Sequence, residues 1–477
     1  MSTAFSEYDG LGLAELVRRR ETTPAELLAW AIGNVESINA TLNCIAHKHY
    51  EEAQAQISTG VVPGAFQGVP FIVKDLGAEL CGTITSCGSR AFGDRLATAD
   101  SELVARYKRA GLVIFAKSTT PELGLAFTTE SKAFGLTRNP WDPERSAGGS
   151  SGGAAAAVAG GIVPMAHASD GGGSIRVPAS CTGLFGLKPS RGRMPLGPDG
   201  TERWFGLVTA HALTSSVRDS AALLDATWGT EPGSRYTSPA PPSGSFLQEI
   251  AGAPERLRIA LMQSSLSGSP VDPACKEAAR AAARLCESLG HHVEEAAPSL
   301  DMDALSTGFL AIIVASVAQA VRDRGIERGR PVSTEELETV TSIYAEQGRK
   351  ASAIAIADAN DAFQSAAISM ARFLTRYDVL LSPALARPPP RLGTLGLSPV
   401  DLEAYAQEVS TYSPFTVIAN ITGQPSMSVP LFWTREGLPI GALFTGRYGE
   451  EALLLRLALA LEGAQPWARK RAPRTKS

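Results

Sequence analysis

Two serine–glycine blocks and one lysine carry the chemistry that this 477-residue chain can offer. The first block is Asp170-Gly-Gly-Gly-Ser174-Ile-Arg176. A hydroxyl placed directly after three glycines sits on backbone that can take positive φ and approach a ligand closely. Successive N–H groups in such a turn form a nest for an anion. A nucleophile beside donors aimed at a developing oxyanion is what acyl transfer requires. Read alone, the block is either a plain glycine turn or a nucleophile in its nest. The second block, upstream, is Gly148-Gly-Ser150-Ser151-Gly-Gly153. It lacks the lysine of a P-loop and the spacing of a dinucleotide fingerprint. That leaves a flexible loop, a poor phosphate cradle, or a pair of serines relaying protons to a nearby nucleophile.

A hydroxyl nucleophile needs a base. The six histidines stand at 47, 49, 167, 211, 291 and 292. None falls in a recognisable Ser-His-Asp setting, and the chain has no GxSxG elbow. His167 precedes Ser174 closely and is either a satisfied buried histidine or a member of the site. Lys74 closes the apolar run Gly68-Val-Pro-Phe-Ile-Val-Lys74. Desolvation there would lower its pKa toward neutrality and make it a base; the alternative is an ordinary surface charge at a strand end.

These residues need elements to position them. Gly68–Asp75 predicts a short buried strand ending in two charges, Ser101–Ala110 a helix and Leu112–Ala116 the next strand. That order predicts a mixed or parallel sheet with helices on its faces. Thr23-Pro24-Ala25-Glu26 predicts a helix start with a capping box. Further helices are expected over Ala154–Gly160, Ser216–Trp228, Asp272–Leu289 and Glu450–Leu461, and through most of 301–375. Strands are expected at Arg256–Leu261, from His292 and at Val379–Pro383. Pro232–Ser245, rich in Pro, Gly and Ser, predicts a surface loop.

Composition narrows the class. With 44% hydrophobic and 19% charged residues, the chain is neither disordered nor fibrous. Its length admits about three domain units or one large α/β domain. Lys and Arg number 44 against 48 Asp and Glu, so nothing in the charge favours nucleic acid or an acidic membrane surface. Six cysteines at 44, 81, 87, 181, 275 and 286 show no metal-ligand spacing. They read as free thiols in a reducing cytoplasm. The N-terminus lacks the charged and apolar regions of a signal peptide. Gly308–Val321 falls short of the ~20 residues that span a bilayer and predicts a buried helix instead.

Taken together, Lys74 and the two blocks resemble the amidase signature family of serine hydrolases. The likeness runs almost continuously from Gly135-Leu-Thr-Arg-Asn-Pro-Trp141 to Gly186-Leu-Lys-Pro-Ser-Arg-Gly-Arg193. It returns at Ser216–Ala221, Tyr377–Pro383 and Asn420-Ile-Thr-Gly-Gln-Pro-Ser-Met-Ser-Val-Pro430, covering roughly residues 8–462. The resemblance implies one α/β domain over 8–462, a twisted mixed sheet with helices on both sides, followed by a basic tail, 463–477. It implies a Ser-cisSer-Lys unit of Ser174 as nucleophile, Ser150 as the serine with a cis peptide and Lys74 as base. The N–H groups of Gly171, Gly172 and Gly173, with Ser174, become the oxyanion hole. Ser151, Asp170 and Arg176 support the loop. No metal or organic cofactor is implied. The expected partner is a small amide substrate, and homodimers are common among relatives.

Two positions depart from the common pattern: Gly171 stands where many members carry Thr or Ile, and Thr119 where many carry Asn. The Asp-Gly-Gly-Gly-Ser-Ile-Arg form, with Arg376-Tyr-Asp and Ala386–Gly393, is similar to bacterial members akin to 6-aminohexanoate cyclic-dimer hydrolase. That likeness puts Leu125–Thr129 and the helical region 305–345 around the acyl pocket. Trp204 and Phe205 are apolar walls or core residues. A competing reading is the amidase component of an amidotransferase that acts on aminoacyl-tRNA together with partner subunits. A third is a binding protein on the same scaffold.

Overall fold

The computed structural model describes residues 3–197, 200–252, 255–468 and 470–473. The helix expected at Thr23 forms as Pro24–Leu42, and its capping box is complete, with Thr23 and Glu26 each bonding the other's backbone. Ser101 caps Glu102–Arg109 and Ser216 caps Val217–Thr227, each through its side chain. The expected helices at Ala154 and Asp272 form as Gly152–Ala159 and Pro273–Ser288.

The sheet has eleven strands. In chain order they are β1 Ile45–Lys48, β2 Pro70–Lys74, β3 Val113–Ser118, β4 Met165–Asp170, β5 Phe185–Lys188 and β6 Thr209–Thr214. They continue with β7 Arg258–Leu261, β8 His292–Glu295, β9 Val379–Pro383, β10 Ser426–Trp433 and β11 Pro439–Gly446. Across the sheet they lie in the order β1-β3-β2-β4-β6-β5-β10-β11-β9-β7-β8. Strand β2 pairs parallel to β3 and β4, and β7 pairs parallel to β8 and β9. The strands between these two groups run antiparallel.

Strand β2 shows why helices must cover both faces. All five of its residues are buried. Phe71 and Val73 enter one hydrophobic cluster while Ile72 enters another. That alternation follows the two-residue period of a strand, and a strand buried on both sides reads as an unbroken apolar run.

The region 301–375 folds as three helices, Met302–Arg328, Thr339–Arg349 and Ala353–Arg376. The first is longer than the expected Gly308–Val321. By length and composition it is apolar enough to cross a membrane. In this fold it packs on the other two helices and buries Leu305, Ile312, Ile313 and Val317.

The C-terminal boundary differs from expectation. The last helix runs Glu451–Ala464, and Trp467 is buried in the main core, its indole N–H bonding the Ser215 carbonyl. Lys470 lies over the Trp433 ring, and Arg471 bonds the Ser6 carbonyl. The packed domain therefore includes part of the expected tail. Arg469, Arg474 and Lys476 lie outside the described residues.

Candidate active site

Parallel pairing of β2 with β4 sets the C-terminal ends of both strands on one edge of the sheet, and Lys74 and Asp170 are those ends. Ligands of α/β sheets commonly bind outside the carboxyl ends of strands.

Lys74 is fully buried. Its Nζ lies 2.7 Å from Ser150 Oγ and 3.1 Å from Ser169 Oγ. No carboxylate touches it directly, so burial pushes its pKa down to about 7, against a partial pull upward from Asp170. The surface-charge reading of this lysine is thereby excluded. Its backbone N–H donates to His167 Nδ1 at 3.1 Å. Burial, reinforced by the charges of Lys74 and His211, pushes His167 down to about 3. A neutral ring that accepts at Nδ1 carries its proton on Nε2, which has no hydrogen-bond partner among the described residues. His167 thus holds the strand that carries Lys74.

Ser150 follows the Gly149–Ser150 peptide, which is cis. Its carbonyl accepts from Thr120 Oγ1 at 2.9 Å. Thr129 Oγ1 braces the same loop, donating to Gly148 O and accepting from Gly152 N. The glycines are required by crowding. A Cβ on Gly149 would lie 2.4 Å from the Thr128 carbonyl oxygen. Thr119, one of the two departures, pairs with Thr137 Oγ1 at 2.7 Å and closes over Gly153, where a Cβ would meet its Oγ1 at 2.4 Å. Ser151 Oγ donates to Ser169 O at 3.2 Å, tying the block to β4.

The Ser174 turn is organised by Asp170. Its carboxylate accepts from the N–H groups of Gly173 and Ile175, at 2.8 and 2.9 Å. Arg176 reaches it through Nε and Nη2, at 3.0 and 2.8 Å, and Asn420 Nδ2 reaches it at 2.9 Å. Both members of the ion pair are fully buried. Burial alone would raise the Asp170 carboxyl; the Arg176 charge and these hydrogen bonds override it and hold it well below the usual range. Arg176 also donates to Thr416 O and Asn420 Oδ1, while Thr416 Oγ1 donates to Gly172 O. Gly173 has φ +139°, and a Cβ there would lie 2.4 Å from Thr416 Oγ1.

One expectation for this turn changes. The Gly173 N–H points at Asp170, so it is spent on building the turn. The N–H groups of Gly171, Gly172 and Ser174 make no hydrogen bond to another described residue. Gly171, the second departure, lies beneath Trp204, whose Cε3 would be 2.7 Å from a Cβ. A flat indole replaces the side chain found elsewhere.

Ser150, Ser169, Gly171 and Ser174 share the wall of one cavity of about 610 Å³. Ser174 is 8% exposed. Phe92, Leu123, Leu125, Trp204, Val208 and Val317 supply apolar wall. Of the expected Leu125–Thr129 border, Leu125 lines the cavity, whereas Thr128 and Thr129 bond Leu395 O and Gly148 O behind it. Phe205 turns outward, 47% exposed, so it is neither wall nor core. The 305–345 region contributes through Ser316, Val317, Gln319 and Ala320. Ser169, Thr120, Thr129 and Thr416 escape a reading of residue types, since nothing local distinguishes them from other Ser and Thr. Asn420 stands in a block that the resemblance marked but left without a role.

The family model described as Amidase matches residues 26–455. The chain is 36% identical to 6-aminohexanoate-cyclic-dimer hydrolase of Pseudomonas sp. (strain NK87), over 97% of this chain and 96% of that one. The solved structure of a 6-aminohexanoate cyclic dimer hydrolase superposes with TM-score 0.93 at 34% identity, covering 99% of both chains. A bacterial aryl acylamidase of the amidase signature family superposes with TM-score 0.87 at 27% identity, covering 98% of this chain and 99% of the other.

Proposed function

Because the chain belongs to the amidase family, we propose that it is a free-standing amidohydrolase of small, rather apolar amides, working through an acyl-enzyme on Ser174. Oligoamides, anilides, esters and carbamates fall within this class. The observation that carries the reading is the 2.7 Å contact between buried Lys74 Nζ and Ser150 Oγ, beside a cavity that Ser174 shares.

Lys74, uncharged above about pH 7, accepts the Ser150 proton as Ser150 accepts the proton of Ser174. Ser174 Oγ then attacks the amide carbon. The free N–H groups of Gly171, Gly172 and Ser174 receive the negative charge of the tetrahedral intermediate, in a site that needs no reorganisation to do so. The same relay, run backwards, delivers a proton to the leaving nitrogen, without which the amine does not depart. Water then enters, loses its proton to the relay and releases the acid. Asp170 and Arg176 do not meet the substrate; they hold the turn that aims Ser174. Six free thiols, five of them buried, support a reducing cytoplasmic setting.

The test is a hydrolysis screen by liquid chromatography and mass spectrometry with purified protein. The panel holds primary amides, anilides, linear and cyclic aminohexanoate oligomers, carbamates and dipeptide amides. Turnover of one class is expected, and Ser174→Ala is expected to abolish it while leaving the melting temperature in place. A folded Ser174→Ala variant with near wild-type turnover would sink the reading. No turnover by folded wild-type protein would point instead to an amidotransferase component that works only with its partners.

A further inference from the structure

Among the described residues, seven charged side chains line the cavity: Glu79, Arg95, Glu202, Arg203, Asp323, Arg324 and Glu327. Every carboxylate among them already has an arginine. Glu79 lies 3.6 Å from Arg95, Asp323 2.8 Å from Arg322, and Glu327 2.7 Å from Arg324. Glu202 pairs with Arg235. Arg324 is committed twice more, to Asp94 and to the Ala91 carbonyl. Arg203 differs from the other six: among the described residues its guanidinium has neither an ion pair nor a hydrogen bond. Arg203 is thus the one charged side chain of this lining, among the described residues, that is left without a partner.

The backbone fixes where this cation stands. Trp204, Phe205 and Gly206 follow it with φ of +49°, +52° and +83°. Two bulky residues in the left-handed region cost energy and are held there by their surroundings. The turn is closed by Gly206 N and Val208 N bonding the Arg203 carbonyl. Its effect is to lay Trp204 against Gly171, in the same turn as Ser174, and to leave Arg203 on the cavity wall beside it.

Resting on the amidase reading, we propose that Arg203 is a specificity residue that binds a carboxylate carried by the substrate, so that the preferred amides are apolar bodies with one anionic end. A guanidinium matches a carboxylate through two parallel N–H donors. The neighbouring carboxylates Glu202, Glu79, Asp323 and Glu327 disfavour a dianion more than a monoanion at this wall. The apolar walls accommodate the chain or ring between the carboxylate and the scissile bond.

The test uses butyranilide against N-butyryl-4-aminobenzoate, which places the carboxylate on the amine side. N-phenylglutaramate places it on the acyl side. Wild type is expected to favour one carboxylate-bearing amide over the neutral one by about tenfold or more in kcat/KM, the scale of a charge-assisted hydrogen bond. Arg203→Gln is expected to erase that ratio, mainly through KM. Arg203→Lys, which keeps the charge without the fork, is expected to retain part of it and serves if the glutamine variant does not fold. A ratio unchanged by either substitution overturns the assignment. Binding is read separately, by calorimetry on Ser174→Ala with the same amides. Arg203-dependent preference there supports the assignment even if wild type turns over none of them, in which case only the amidase reading fails. Equal affinity for charged and neutral amides overturns the assignment whatever the turnover.

Discussion

At the scale of single residues, the proposed mechanism turns on the protonation of Lys74. Its pKa is pushed down to about 7 by burial, and only the uncharged amine accepts a proton. Activity must therefore fall as pH drops through that value and level off above it. The expected profile of kcat/KM loses about tenfold per pH unit below pH 7. A profile flat from pH 5 to 8, measured on an uncharged amide, would remove Lys74 from the role of base. Lys74, Ser150 and Ser174 were legible in the sequence because each is a reactive type set against an unusual background of glycines or apolar residues. Ser169 was not, although it lies as close to Lys74 as 3.1 Å. A serine one position before Asp170 has no local feature that marks it, and only the pairing of β2 with β4 brings it to the lysine.

At the scale of elements, the two glycine blocks act as spacers for their neighbours. The cis-Ser150 loop packs so tightly on the 119–129 segment that its backbone meets backbone. Gly149→Ala would drive a Cβ into the Thr128 carbonyl, and the loop, not the strand-anchored segment, must yield. The expected cost is about 1–3 kcal/mol of stability, typical of overpacking. Turnover is expected to fall by about a hundredfold, because Ser150 moves off Lys74. Urea denaturation and steady-state kinetics on the same variant separate the two effects; unchanged kcat would show that the loop tolerates the shift. Helix starts were readable here because caps are local chemistry, as Thr23, Ser101 and Ser216 show. Strands β4, β5 and β6 were not. Met-Ala-His-Ala-Ser-Asp and Phe-Gly-Leu-Lys hold no β-branched residue, and Thr-Ala-His-Ala-Leu-Thr holds them only at its two ends; they become strands through burial between helices. Strands β10 and β11 were missed as well, although Asn420–Pro430 was recognised as a block.

At the scale of the whole molecule, the site is held by a bridge between distant parts of the chain. Asp170 and Arg176 reach Thr416 and Asn420, and all four are buried. Asp170→Asn would leave the Arg176 charge buried without its partner. Breaking one side of such a pair costs about 3–5 kcal/mol, and chemical denaturation is expected to show a loss of that size. A loss below about 1 kcal/mol would mean that Asn420 and the Thr416 carbonyl alone satisfy the arginine. The family was legible from the order of the matching blocks. The reach of the domain past 462 was not, because Trp467 among basic residues looks like the start of a solvated end and is buried only by the helices that meet there.

That bridge also sets a clock. The proposed base, relay serine and nucleophile, Lys74, Ser150 and Ser174, leave the ribosome well before Thr416 and Asn420. Asp170 and Arg176, which shape the turn of Ser174, are made with it, whereas Thr416 and Asn420, which brace it, follow Arg176 by 240 and 244 residues. A nascent chain that has not yet released Thr416 and Asn420 carries Ser174 on a turn shaped by Asp170 and Arg176 but lacking that brace. The turn of Ser174 is thus expected to gain its full packing only after Asn420 has emerged.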